Sequence, residues 1–312
     1  MTERQGNPER ARDLTSAEFR QRLKSGLGIG IGPFAAHIRA EPESLVHPLH
    51  GLYANYPLLP DDSVFSFHAR LDLARAFPRV HRRMLRFSVD GQEPHEPMPA
   101  EQALPVLEWG INLVIAMRSH AFLMLHAAVV ELDGGGMLLP AAPGYGKSTL
   151  CAGLSLRGWR LLSDEFGLLR PRTTDLIPVP RPVALKDASI DVIRDFDADA
   201  VLGPSTPNTR KGTVAHLRPP GDSVALAGEP AAARWIVFPR WEPGEPSRLT
   251  PISGAEAFML LATNAFNYEL LGEAGFDTVA DVVAASRCFR FVYSDLEDAV
   301  EQLTALAREH NG

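Results

Sequence analysis

The segment Gly136 to Leu150, GMLLPAAPGYGKSTL, restricts the fold of this chain more than any other. An apolar run ends in a turn rich in proline and glycine, and Lys147-Ser148-Thr149 then open a stretch with helical rhythm. The order is strand, tight loop, helix. In that frame successive backbone N–H groups converge on an anion, together with the unpaired donors of the helix start. Gly144 and Gly146, either side of Tyr145, permit the positive φ and close approach such a cradle needs. Lys147 reaches the terminal phosphates of a nucleotide as a point charge, the Ser148 hydroxyl is placed for Mg²⁺, and Thr149 supports it or caps the helix. The pattern departs from G-x-x-x-x-G-K-[ST] at its first position, where Ala141 stands. Because the flanking strand and helix are read independently of the motif, a glycine-rich turn with an incidental lysine is the weaker reading.

The flanks support that order. LMLHAAVVELDGGGMLLPA reads as two strands joined at Asp133-Gly134-Gly135-Gly136, and KSTLCAGLSLRG as a short helix stopped by Gly158. WRLLSDEFGLLR reads as one further strand. It carries the first acids beyond the loop, Asp164 and Glu165, with Asp164 only 17 residues past Lys147 (164 − 147). A βαβ crossover brings such a strand back beside the first and sets the acids near the phosphates. A carboxylate there either coordinates the metal or deprotonates an attacking hydroxyl, and a solvated acidic pair is the bland alternative.

Elsewhere the chain is organised in three regions. Residues from about 15 to 100 mix short apolar runs with turn formers, including a strand RMLRFSV closed by Asp90-Gly91. They suggest a small strand-rich domain over 1–100, with a boundary near Pro94–Pro105 and a second domain over 101–312. LPVLEWGINLVIAMRSHAFL reads as a long buried helix opening the second domain. GAEAFMLLATNAFNYELL and DLEDAVEQLTALAREH are helical, with Phe258, Leu261 and Leu270 read as core. PNTRKGT is a polar loop; its Arg210 and Lys211 are candidates to neutralise charge during phosphoryl transfer. Arg181 and Lys186 are weaker candidates for contact with nucleotide or acceptor, and Asn267-Tyr268 has no evident mechanism.

Taken together, LHAAVVELDGGGMLLPAAPGYGKSTLCAGLSLRGWRLLSDEFGLL resembles the catalytic core of bacterial HPr kinase/phosphorylase. The stretches PRPVALKDASI, TRKGTVAHLRPP, FPRW and FNYELLGEAGF extend the resemblance to the branch called HPr kinase-related kinase A. The resemblance implies an α/β fold: a P-loop domain with a mixed sheet, akin to HPr kinase and phosphoenolpyruvate carboxykinase, preceded by the strand-rich domain. It implies an ATP- and Mg²⁺-dependent kinase of a serine hydroxyl on a small protein or peptide. Asp164 matches the family's catalytic base, Glu165 replaces the second acid as metal ligand, and His126 matches a histidine near the acids. The family's arginine-bearing P-V-K-P-G-R-N signature has no counterpart, which leaves its role to Arg210 or Lys211. The bland reading of His126 is a hydrogen-bonded core residue. A small-molecule acceptor, the reverse phosphorylase reaction and a nucleotide-gated peptide-binding module remain open, as does a homo-oligomer.

Composition sets the outer bounds. With 38 acidic against 31 basic residues the net charge is −7, which argues against broad nucleic-acid binding. The N-terminus, MTERQGNPERARDL, has no apolar core of the signal-peptide kind, and no apolar run is long enough to span a bilayer. A cytoplasmic protein with Cys151 and Cys288 as reduced thiols is the expectation.

Overall fold

A computed structural model of the chain describes residues 8–75 and 83–309. Residues 1–7, part of the charged N-terminal stretch, and His310, at the end of the last predicted helix, lie outside them. The chain divides into two compact units, Met1–Ile115 with Val201–Arg218, and Ala116–Ala200 with Pro219–Gly312.

The first part of the chain runs through α1 (Ser16–Ser25), β1 (Leu27–Ile31), β2 (Phe34–Ala40), α2 (Val46–Leu52), β3 (Leu58–Leu59), β4 (Phe67–Arg75), β5 (Arg83–Val89), β6 (Met98–Pro99) and α3 (Ala103–Arg118). The middle holds β7 (Leu123–Leu125), β8 (Ala127–Leu132), β9 (Gly135–Pro140), α4 (Lys147–Leu156), β10 (Arg160–Ser163), β11 (Gly167–Leu169), β12 (Asp175–Ile177), β13 (Val183–Lys186) and α5 (Ala188–Phe196). The remainder holds β14 (Thr206–Thr209), β15 (Gly212–Leu217), α6 (Gly221–Ala225), β16 (Ala231–Trp241), β17 (Arg248–Pro251), α7 (Gly254–Thr263), α8 (Tyr268–Leu271), α9 (Glu273–Ala285), β18 (Arg287–Tyr293) and α10 (Leu296–Arg308).

In the first unit a six-stranded sheet has the order β3-β1-β2-β4-β5-β6. The Asp90-Gly91 turn forms as its sequence dictates, with φ of 47° and 82°. Both residues are left-handed, the conformation a tight two-residue turn demands. The helix α3 packs against this sheet. A Cβ at Gly110 would fall 2.4 Å from the Phe87 ring, and the Tyr53 hydroxyl donates to the buried Glu108 carboxylate at 2.9 Å. The division therefore falls inside α3, not in the proline-bearing stretch 94–105. Burial of the helix surface outweighed the turn-forming composition. Residues 206–217 are also not a loop but the β14–β15 hairpin, with Arg210 and Lys211 as its exposed turn.

The second unit is built on a mixed sheet of order β10-β8-β9-β16-β12-β11-β7, with β18 parallel to β16 and β17 antiparallel to β18. The β8–β9 hairpin closes at Asp133 and Gly134 with φ of 51° and 83°. One face of the sheet carries an apolar core that includes Val129, Leu138, Leu162 and Ile236 against Leu261 of α7 and Val279 and Val282 of α9. Each fully buried side chain of this size contributes roughly 1.5–3 kcal/mol. Phe258 packs against that core, whereas Leu270 is 71% exposed and is not core.

Two expected strands are broken. LMLHAAVVEL bends at His126 into β7 and β8, and WRLLSDEFGLL bends at 164–166 into β10 and β11, so each half joins a different neighbour. The β7 half is an edge, and residues 264–267 cover it. Phe266 N–H donates to Met124 O at 2.8 Å, while the Asn267 side chain accepts from Met124 N–H at 2.9 Å and donates to Phe122 O at 2.8 Å. The carboxamide of Asn267, only 8% exposed, thus has a structural role that its sequence position did not reveal. Asn267→Ala orphans one donor and one acceptor on that edge. Urea denaturation should register a loss of about 2–3 kcal/mol, with secondary structure retained.

Candidate active site

β8 is antiparallel to both β9 and β10, so β9 and β10 run the same way; β16 is parallel to β9, and β18 to β16. The carboxyl ends of β10, β9, β16 and β18 therefore share one edge, the usual location of ligands in open α/β sheets. That edge brings together Asp164 after β10, the loop 141–146 after β9, Trp241 ending β16 and Tyr293 ending β18. The crossover through α4 does not return β10 beside β9 as expected. β8, tied to β9 by their hairpin, already holds that place, and β10 pairs on its far side. The first residue of α4 bridges the gap: Lys147 Nζ, on a side chain only 9% exposed, donates to the main-chain oxygen of Asp164 at 2.9 Å.

The loop has the backbone its sequence calls for. Gly144 and Gly146 adopt φ of 89° and 81°. At Gly144 only the dihedral demands glycine, but at Gly146 space does too, since a Cβ would meet the Tyr293 hydroxyl at 2.4 Å. Tyr293 Oη donates to Gly146 O at 3.0 Å, and Trp241 N–H donates to Tyr145 O at 3.2 Å. No side chain caps α4, so Thr149 does not act as a cap and the first amides of the helix face the loop. Sequence reasoning does not reach Trp241 and Tyr293. Each closes an apolar run, WIVFPRW or RFVY, that is indistinguishable from core.

Asp164 is 5% exposed, and neither carboxylate oxygen meets hydrogen-bond geometry with a donor among the described residues. Burial, the largest influence, pushes its pKa up to about 6 against the pull of the Lys147 ammonium. The neighbouring Glu165 charge adds to the rise; the Ser148 hydroxyl and the Ala184 amide lie near enough to lower it without closing a full bond. The chain bends past the acid because Ser163 Oγ accepts from Phe166 N–H at 3.1 Å, leaving Glu165 half-buried beyond the strand end. His126 stands at the β7–β8 bend with its N–H on Asn264 O at 2.8 Å. Its ring lies 5.7 Å from Phe266, which meets Phe166 at 5.8 Å.

A cavity of about 680 Å³ opens beside the loop, lined by Gly144, Gly146, Thr149, Lys186, Trp241 and Asp295 among others. Lys186 thus shares a pocket with the loop, whereas Arg181 is buried outside it. Asp187, on the same wall, holds φ 47° and ψ −124°, a conformation that strains any residue but glycine. Arg210 and Lys211 belong to the other unit, where Lys211 Nζ lies 5.3 Å over the Trp109 ring.

Among the described residues no group of three or more His, Cys, Asp or Glu side chains has metal-site geometry. Mg²⁺ with a nucleotide needs no such cage, because one or two carboxylates, a hydroxyl, phosphates and water complete its shell. Two buried carboxylate oxygens without donors, within reach of the Ser148 hydroxyl, fit that requirement.

No family model matches the chain, and no curated protein matches it. A solved structure of the Hpr(Ser) kinase/phosphatase from Coxiella burnetii is similar at 13% identity and a TM-score of 0.26, over 60% of this chain and 95% of that one. A likeness of this size leaves the chemistry to be argued from the site's own residues.

The carboxyl of Asp164 has a stability consequence with a definite sign. Its folded pKa of about 6 exceeds the ordinary value of 3.8. Well below pH 3.8 it is protonated in both states and costs nothing. From about pH 6 upward its charge is buried at full cost. Asp164→Asn should therefore stabilise the metal-free protein above pH 6 by on the order of 2 kcal/mol, and the gain should fade as pH falls toward 4. Denaturation in EDTA across that range measures it.

Proposed function

We propose that the chain is an ATP- and Mg²⁺-dependent kinase that transfers the γ-phosphoryl group to a serine hydroxyl of a small protein or peptide. The observation that carries this reading is the Asp164 carboxylate: buried, open on both oxygens, and fixed at the strand end that Lys147 ties to the loop. A purely structural acid in that position would be paired.

The loop amides from Gly144 to Thr149 and the Lys147 ammonium bind the β- and γ-phosphates. Trp241, 46% exposed on the wall of the adjoining cavity, offers its face to the base, with Lys186 and Asp187 beside it. Ser148 and Glu165, with one oxygen of Asp164, would hold Mg²⁺, which when bound neutralises charge on the phosphates. The other oxygen of Asp164 accepts the proton as the serine oxygen bonds to the γ-phosphorus and the bond to the bridging oxygen breaks, releasing ADP. Burial raises the basicity of the metal-free carboxyl, the direction a proton acceptor needs. His126 orients the acid pair through the Phe266–Phe166 contact. The first unit recognises the acceptor, and no nucleic acid or membrane takes part. Among the described residues no helix is long and apolar enough to cross a membrane.

The reading is tested with γ-labelled ATP and lysate of the native host, followed by mass spectrometry of the labelled species. Lys147→Ala should abolish both ATP binding and labelling. Asp164→Asn should keep ATP binding and lower labelling by about 10²–10⁴-fold, the range for loss of a general base. Full labelling by Asp164→Asn would overturn the reading. Tyr293→Phe removes the bond to Gly146 O and should weaken ATP binding by about 3–10-fold, as expected for one hydrogen bond, measured by Trp fluorescence titration.

A further inference from the structure

A second cavity adjoins the loop on the opposite side of the sheet, within the same unit. Its volume is about 340 Å³, at the small end of ligand pockets, which span about 300–1,000 Å³. Tyr145 and Ala142 of the loop form one wall, and Phe238 of β16 and Leu260 of α7 form an apolar floor. Asn264 closes the end toward His126, whose N–H its main-chain oxygen accepts at 2.8 Å. This cavity therefore lies on the His126 side of the phosphate loop, across the sheet from the pocket that holds Trp241.

Two arginines line it, Arg240 and Arg290. Each is held by a carboxylate: Arg240 Nε by the half-buried Glu242 at 2.6 Å, and Arg290 by Glu256 at 2.6 and 2.9 Å. The side chains of Arg290 and Glu256 are 56% and 40% exposed. Exposed pairs of this kind contribute little, about 0–1 kcal/mol, so exchange for another carboxylate is cheap. The guanidinium is also the side chain best shaped to take a carboxylate on two parallel N–H groups.

An apolar floor with guanidinium-bearing walls, beside the loop residues Ala142 and Tyr145, suits an acceptor with matching chemistry. Resting on the kinase reading above, we infer that this cavity receives an apolar side chain adjacent to the acceptor serine, with an acidic residue of the same peptide exchanged onto Arg240 or Arg290. The claim is one of substrate specificity and concerns residues that take no part in the transfer itself.

The test uses a serine-centred degenerate peptide library with γ-labelled ATP, with free 3-phenyllactate as a separate arm. The wild-type protein should prefer peptides with a large apolar residue and an acidic residue near the serine by about 10-fold or more, the scale of discrimination by one apolar pocket. Leu260→Trp, which fills the cavity, should erase the apolar preference, and Arg290→Ala the acidic one. ATP affinity and melting temperature, measured on each variant, should match wild type. Labelled peptides without these preferences, or preferences unchanged in both variants, would overturn the inference while leaving the kinase reading intact. Labelling of 3-phenyllactate but of no peptide would overturn the peptide commitment. ATP binding with nothing labelled in either arm would sink the kinase reading and the inference together.

Discussion

The buried ammonium of Lys147 holds the site together. It sits at the first turn of α4 and donates to the main-chain oxygen of Asp164, across a sheet position occupied by β8. An ammonium taken out of water must find a partner or lose its charge. Here the partner is a backbone oxygen, which leaves the Asp164 carboxylate open. Had the lysine taken the carboxylate instead, the charge would be quenched and the acid would have little left to offer a metal or a proton. The same contact fixes the distance between the helix start and the end of β10, and hence between the loop and the acids.

Around that contact the sheet divides labour between its faces. Along β16, Trp241 faces the cavity beside the loop glycines, whereas Phe238 and Arg240 face the cavity on the α7 side. The alternation of side chains along a strand is enough to give residues one to three positions apart to two different cavities. Tyr293 and Trp241 reach from two neighbouring strand ends to main-chain oxygens of the loop, at Gly146 and Tyr145. These two contacts hold the loop in shape.

Much of the local structure was legible from sequence. Asp133-Gly134 and Asp90-Gly91 form the tight turns their residue types require, and α4 begins at Lys147 and ends before Gly158, whose φ is 95°. These features depend on a few neighbouring residues and on sterics, so a linear reading reaches them. Asn267, the exposed Leu270, the bends at His126 and Asp164, and the division inside α3 were out of reach. Asn267 and the bend at His126 depend on pairings across long stretches of chain, Asn267 with Met124 over 143 residues, and the others on which surfaces are buried together. A loop-closure penalty that grows only slowly with separation leaves such pairings unconstrained by the intervening chain.

The sequence by itself determined that a strand, a glycine-bearing turn and a helix with Lys147 and Ser148 at its start follow one another, because dihedral freedom and periodicity are properties of adjacent residues. It also put two acids at a strand end soon after. The tertiary structure alone decided that β8 comes between the two strands, that Asp164 is buried with its oxygens open, and that Tyr293 and Trp241 buttress the loop. Those outcomes follow from which surfaces can be buried together, and burial is settled only when the whole unit packs.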